Sequence, residues 1–156
     1  MFACFNLFSK CHNPPLDKDL REDNWKNEWH LIQVIDVYDG DTCTVRVRRN
    51  GVWCRQKVRM MGYDTPEMKP PKNQPNREKE IELAKKAREV FIKQTRGPIW
   101  MYCHGREKYG RILATFHKKT TFGKESWSVN DWMVSNGYGK PYDGGTKDRE
   151  WSEISF

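Results

Sequence analysis

The dipeptide Asn50-Gly51 separates two runs of strand-like residues, and this restricts the fold more than anything else in the chain. Before it, residues 42–49 read TCTVRVRR, with Cys43, Val45 and Val47 on one face and Thr44, Arg46 and Arg48 on the other. After it, residues 52–61 read VWCRQKVRMM, where Val52, Cys54 and Val58 alternate with Trp53, Arg55, Lys57 and Arg59. Asn-Gly accepts the positive φ angles of a two-residue hairpin turn, and period-two alternation marks a half-buried strand. The two runs are therefore predicted to be antiparallel neighbours. A third strand, over 30–38 and rich in β-branched residues, precedes them across the tight turn Asp39-Gly40-Asp41.

From Glu78 to Arg96 the period changes to that of a helix. Leu83, Ala84, Ala87, Val90 and Phe91 form one apolar stripe among charges, and Gly97-Pro98 ends it. Strands are predicted over 99–103 and 111–116. A short helix over 129–136 is predicted to be capped by Ser128 and closed by Gly137. Short strands without long crossovers suit an α+β, mainly β, fold: a five-stranded Greek-key barrel of the OB type with two to three helices outside. Residues 1–28 read as an N-terminal arm or leader, 29–145 as the domain, and 146–156 as a short tail with Trp151 and Phe156 as anchors.

At 156 residues the chain is long enough for one domain with a real core. No apolar run approaches the ~20 residues of a membrane helix. The 28 Lys+Arg against 21 Asp+Glu give +7, which favours anionic partners, nucleic acid foremost. The five cysteines are odd in number and irregularly spaced, which argues against zinc and against a disulfide framework. Cys43, Cys54 and Cys103 are expected to be buried free thiols. The opening MFACFNLFSKC lacks a basic leading region, so a cleaved secretory signal is not expected. The expectation is an intracellular or released monomer, with acylation of Cys4 or Cys11 as the less favoured route to a membrane.

Against this basic background, acids gather on two turns. Asp39 and Asp41 follow the first strand; Asp64 and Glu67 lie in GYDTPE (62–67), just past the third. Alternate strand junctions of a meander meet at one end, so the turns are expected to converge. Like carboxylates repel unless a cation or proton lies between them. An oxygen-rich cluster without His or Cys suits a hard cation such as Ca²⁺ or Mg²⁺. Arg59 and Arg111 could hold a phosphate through their forked donors, leaving Glu67 to orient or deprotonate a water. Singly, each of these residues is more often a solvated turn or strand charge. Together they outline a site for phosphodiester hydrolysis.

DGDT (39–42), VRMMGYDTPE (58–67), EKYGR (107–111) and WSVNDWMVSNG (127–137) resemble, in order and spacing, the motifs of the staphylococcal nuclease (thermonuclease) family. The resemblance covers roughly residues 29–142. It implies an OB-type barrel and a Ca²⁺-dependent nuclease that cuts DNA and RNA with little sequence preference and leaves 3′-phosphates. By position it implies Asp41, Asp64 and the Thr65 carbonyl as metal ligands, with Asp39 close behind. Arg59 and Arg111 would be phosphate-binding arginines and Glu67 the general base. Lys108 and Tyr109 would contact a terminal phosphate, and Tyr142 is the nearest candidate for a base-stacking ring. Flexible or single-stranded DNA and RNA are the expected partners, and Mg²⁺ or another divalent ion could replace Ca²⁺. The alternative is a non-catalytic nucleic-acid-binding module on the same fold, in which the acids and arginines would usually be lost.

Overall fold

A computed structural model of the chain describes residues 24–119, 126–145 and 151. The N-terminal arm with Cys4 and Cys11, the turn at Phe122-Gly123 and the anchor Phe156 lie outside the described residues. The hairpin forms as its turn chemistry requires, with Asn50 and Gly51 at φ 50° and 81°. It joins β2 (Thr42–Arg49) to β3 (Val52–Met60) in one unbroken register, from Thr42↔Arg59 at the base to Arg49↔Val52 at the tip.

β1 (Glu28–Val37) pairs antiparallel with β2 on one side and with β5 (Pro98–Arg106) on the other. β6 (Ile112–Lys119) pairs antiparallel with β5 and then meets β3 in parallel through Val58↔Ile112, Arg59↔Leu113 and Met60↔Ala114. That last pairing closes the five strands into a barrel. β7 (Ser126–Ser128) extends the β6 edge, while β4 (Tyr63–Asp64) and β8 (Lys140–Pro141) form a small ladder of their own. With α1 (Arg77–Gln94) and α2 (Val129–Ser135), this is the mainly β, OB-type α+β fold that the strand pattern implied.

Inward residues of alternating strands fill the barrel: Val45, Val47, Val58, Met101, Ile112 and Phe116 are fully buried. From α1, Leu83, Ala84, Ala87 and Phe91 are buried, and Phe91 stacks on Phe116 at 6.2 Å. Ser128 caps α2 by accepting from the Asp131 amide at 3.1 Å. Asn130, two residues on from Ser128, is buried and locks the barrel seam. Its Oδ1 accepts from the Phe116 amide, and its Nδ2 donates to the Met61 and Ala114 carbonyls.

Three readings change. Cys43 and Cys103 are buried free thiols, but Cys54 is only half-buried and Val52 is 63% exposed. The tip of the hairpin carries its apolar face into solvent, so alternation there does not mark a core. Residues 24–28, read as the end of a leader, bring Trp25 into the core under the Arg49 guanidinium, 4.3 Å from the ring. The strands at 98–106 and 112–119 are longer than the apolar runs that announced them. Trp151 is buried, as an anchor should be. Among the described residues no helix is long and apolar enough to cross a membrane.

Phe91→Ala removes a fully buried ring from the helix–barrel contact. It is expected to cost about 3–5 kcal/mol in urea denaturation; a loss below about 1 kcal/mol would show that α1 is not held by this contact.

Candidate functional site

The site begins with the turn between β1 and β2. The Tyr38 amide donates to the Thr42 carbonyl at 2.9 Å, and the Asp41 amide donates to Asp39 Oδ1 at 3.1 Å, so the acids brace the turn they sit on. Gly40 is required by space: a Cβ there would lie 2.8 Å from Thr65 Cγ2 and 3.0 Å from Ala87 Cβ. Its carbonyl accepts from the buried Tyr63 hydroxyl at 2.8 Å. The Met60 amide donates to the Asp41 carbonyl at 2.7 Å, which ties the turn to the end of β3.

The second acidic turn leaves β3 through Gly62, at φ 88°, and passes into β4. Gly139 allows this crossing, since a Cβ there would lie 2.6 Å from the Tyr63 ring and 2.9 Å from the Asp64 carbonyl. Glu67 is held from behind: its amide donates to Glu80 Oε1 at 3.0 Å, and Gln74 Nε2 donates to the other Glu80 oxygen.

Arg59 joins the two turns. One guanidinium nitrogen donates to Asp41 Oδ1, and the other donates to Asp64 Oδ1 at 2.6 Å. Asp41 also accepts from Thr42 Oγ1 at 2.8 Å and from the Thr65 amide at 3.1 Å. Burial, and then the nearby charges of Asp39 and Asp64, push the Asp41 carboxyl well above its ordinary range, with Arg59 pulling the other way. Burial likewise raises Asp39. Burial opposes the Arg59 charge too, but Asp41 and Asp64 outweigh it and hold the guanidinium protonated more firmly than usual. Arg111 donates through Nε to Glu107, with Nη1 3.5 Å from Thr42 Oγ1, at the long limit of a hydrogen bond.

A cleft of about 1130 Å³ opens above this cluster. Arg59, Arg111, Glu67, Lys108, Tyr109 and Tyr142 all line it, along with Asp39 and Thr42. Tyr109 stands 72% exposed at the rim with Lys108 5.0 Å from its ring. Tyr142 lies 5.9 Å from the Arg59 guanidinium, positioned by a hydrogen bond from its amide to the Gly62 carbonyl. Asp41, Asp64 and Thr65 do not line the cleft; they are buried, and the two acids meet it through Arg59 and, for Asp41, also through Thr42.

A comparison with known protein families matches residues 57–153 to one described as staphylococcal nuclease homologue. The chain belongs to that family. Its barrel is thus of a nuclease-like or nucleic-acid-binding kind. A search of the curated proteins finds no match.

The staphylococcal nuclease family reading directs attention to a cation at Asp41 and Asp64. Their donors are all oxygen, as a hard divalent ion prefers, and Thr65 Oγ1 beside them is buried without a hydrogen-bond partner. Among the described residues, however, no three acidic, histidine or cysteine side chains converge as a metal cage would require. Arg59 already takes one oxygen of each acid, so the groups available to such a cation are few.

Sequence reasoning missed Glu80 and Asn130. Glu80 had a signal: with Ala84, Ala87 and Phe91 it falls on one helical stripe, so a charge stood where apolar residues belong. Asn130 had none beyond its place between Val129 and Met133.

Arg59→Met leaves two buried carboxylates without a counter-charge, and the expected loss is about 3–5 kcal/mol near neutral pH. The sign with pH follows from the raised Asp41 carboxyl. A protonated acid needs no partner, so the penalty is full above the raised carboxyl range and shrinks as pH falls through it. Denaturation of both proteins across acidic to neutral pH measures this, and a pH-independent difference contradicts it.

Proposed function

We propose that this protein is a divalent-cation-dependent nuclease that hydrolyses phosphodiester bonds of DNA and RNA with little sequence preference, leaving 3′-phosphates. The observation that carries the reading is the meeting of Arg59, Arg111 and Glu67 on one cleft above two buried carboxylates.

Arg59 and Arg111 have the forked donors that match phosphate oxygens, and both are oriented before substrate arrives, Arg59 by its aspartates and Arg111 by Glu107. Their charges would stabilise negative charge growing on the phosphoryl oxygens. Glu67, held by Glu80 through its main chain, is the carboxylate available to accept a proton from the attacking water. Attack at phosphorus with loss of the 5′ oxygen leaves the phosphate on the 3′ side. Asp41, Asp64 and the Thr65 carbonyl are the groups that would hold Ca²⁺, or Mg²⁺ or another divalent ion. Bound there, the ion would neutralise a non-bridging phosphate oxygen. Tyr142 offers a ring on which any base can stack, which suits a flexible or single-stranded substrate. Tyr109 stands at the rim beside Lys108, where both would contact a terminal phosphate.

One observation favours a second reading, a binding module without catalysis: Arg59 already engages both acids. The two readings separate in a cleavage assay on single-stranded DNA, plasmid and RNA with Ca²⁺, Mg²⁺, Mn²⁺ or EDTA. The nuclease reading expects cleavage that needs a divalent ion and falls about 10²–10⁴-fold in Glu67→Gln while oligonucleotide binding persists. Retarded mobility without cleavage under every ion would establish the binding module instead.

A further inference from the structure

The outer face of the β2–β3 hairpin runs on beyond the cleft and carries four exposed cations. Its cross-strand pairs are Arg48↔Trp53, Arg46↔Arg55, Thr44↔Lys57 and Thr42↔Arg59. Arg46, Arg48, Arg55 and Lys57 are exposed, and Trp53 is 66% exposed. The last pair, Thr42 and Arg59, already lines the cleft. The other three therefore continue the floor of the site outward along the same strands. With about 3.3 Å per residue, Trp53 lies roughly 20 Å from Arg59 along β3.

Three features distinguish this face from an ordinary solvated one. No ion pair among the described residues engages its four cations, although Asp36 stands opposite Thr44 in register. Arg46 instead bonds the Gln33 amide oxygen, and Arg48 Nε donates to the Gly51 carbonyl at 3.2 Å. Like charges directly opposite each other, as Arg46 and Arg55 are, work against sheet stability. At the far end is a large exposed aromatic, with the Arg46 guanidinium 5.9 Å from its ring. A row of cations ending on an open indole has the charge and stacking chemistry of a surface for single-stranded nucleic acid.

We propose that this ladder, Trp53–Arg55–Lys57 with Arg46 and Arg48 beside it, is a track that binds the single-stranded substrate outside the cleft and leads it to Arg59. The proposal rests on the nucleic-acid reading of the cleft and extends it to a second, separately removable contact surface. The phosphates run along the cations, and a base several nucleotides from the cut stacks on Trp53.

The test uses the full chain in EDTA, so that binding is read without cleavage. The probes are a fluorescent oligothymidylate of roughly 20 nucleotides, longer than the ~4–16 that one such fold covers, and a trinucleotide that reaches only the cleft. The triple variant Arg46→Gln, Arg55→Gln, Lys57→Gln is expected to bind the long probe about 100-fold more weakly at roughly 0.1 M salt. Its log–log salt slope should be smaller by about 2. Trinucleotide binding should stay within about twofold. Trp53→Ala should weaken the long probe by roughly 5- to 100-fold. Arg55→Gln alone should leave the melting temperature unchanged or raise it; a clear fall would make Arg55 a structural residue and overturn its place in the track. If the wild type binds the long probe and the variants match it, the track is wrong and the cleft reading stands. If the wild type binds neither probe and cleaves nothing, the nucleic-acid reading falls and takes the track with it. Vesicles of phosphatidylcholine and phosphatidylserine form the last arm. Substitutions that abolish vesicle binding but spare the oligonucleotide would assign the face to a membrane surface and overturn the proposal.

Discussion

One guanidinium holds two buried acids apart and together at once. Asp41 and Asp64 come from different turns, and neither could be buried charged near the other without a cation. Arg59 is that cation, and it belongs to the strand that separates the two turns in sequence. The arrangement around it follows from this need. Gly40 lets the first turn press against Thr65, Gly139 lets the second turn pass beneath the chain that carries Tyr142, and the Tyr63 hydroxyl ties the two together. A protein with net charge +7 thus keeps these two buried acids where a positive group reaches them and water does not.

The same economy of position extends to the rim of the cleft. Glu67 sits on a loop, yet its main chain is fastened to a buried glutamate of α1, so a rigid helix sets its place. Arg111 begins β6 and leans on Glu107 from the preceding loop. Tyr142 depends on the small β4–β8 ladder. These three segments come from separate parts of the chain, but each is tied to a strand or a helix, as a positioned side chain requires.

Much of this was legible in the chain before any coordinates. The barrel strands announced themselves through period-two alternation and Asn50-Gly51, and α1 through its apolar stripe, because both signals are local and strong. The gathering of Arg59, Glu67, Arg111, Lys108, Tyr109 and Tyr142 followed from motif order. The depth of the acids did not. Arg59 alternates with exposed Arg55 and Lys57, so its pattern is that of a wet strand face. Only the closing of β6 against β3 and the turns folded over its end bury it. β4 and β8 are two residues each, too short to show a period. Cys54 and Val52 misled for the opposite reason, since alternation persists in a hairpin after the core beneath it has ended. Trp25 was hidden by the polar residues around it.

The parallel seam between β3 and β6 has a temporal meaning as well as a spatial one. It joins residues 58–60 to 112–114, contacts far apart along the chain that form against a large loop-closure entropy. Hairpin and helix can form early from their own neighbours. Arg59 and Leu113, however, face each other across the seam itself, and Asn130 then pins it from α2. The cleft is consequently complete only once this long-range seam has closed. A partly folded chain carries every residue of the cleft and no cleft, so the arrangement appears only when the barrel has shut.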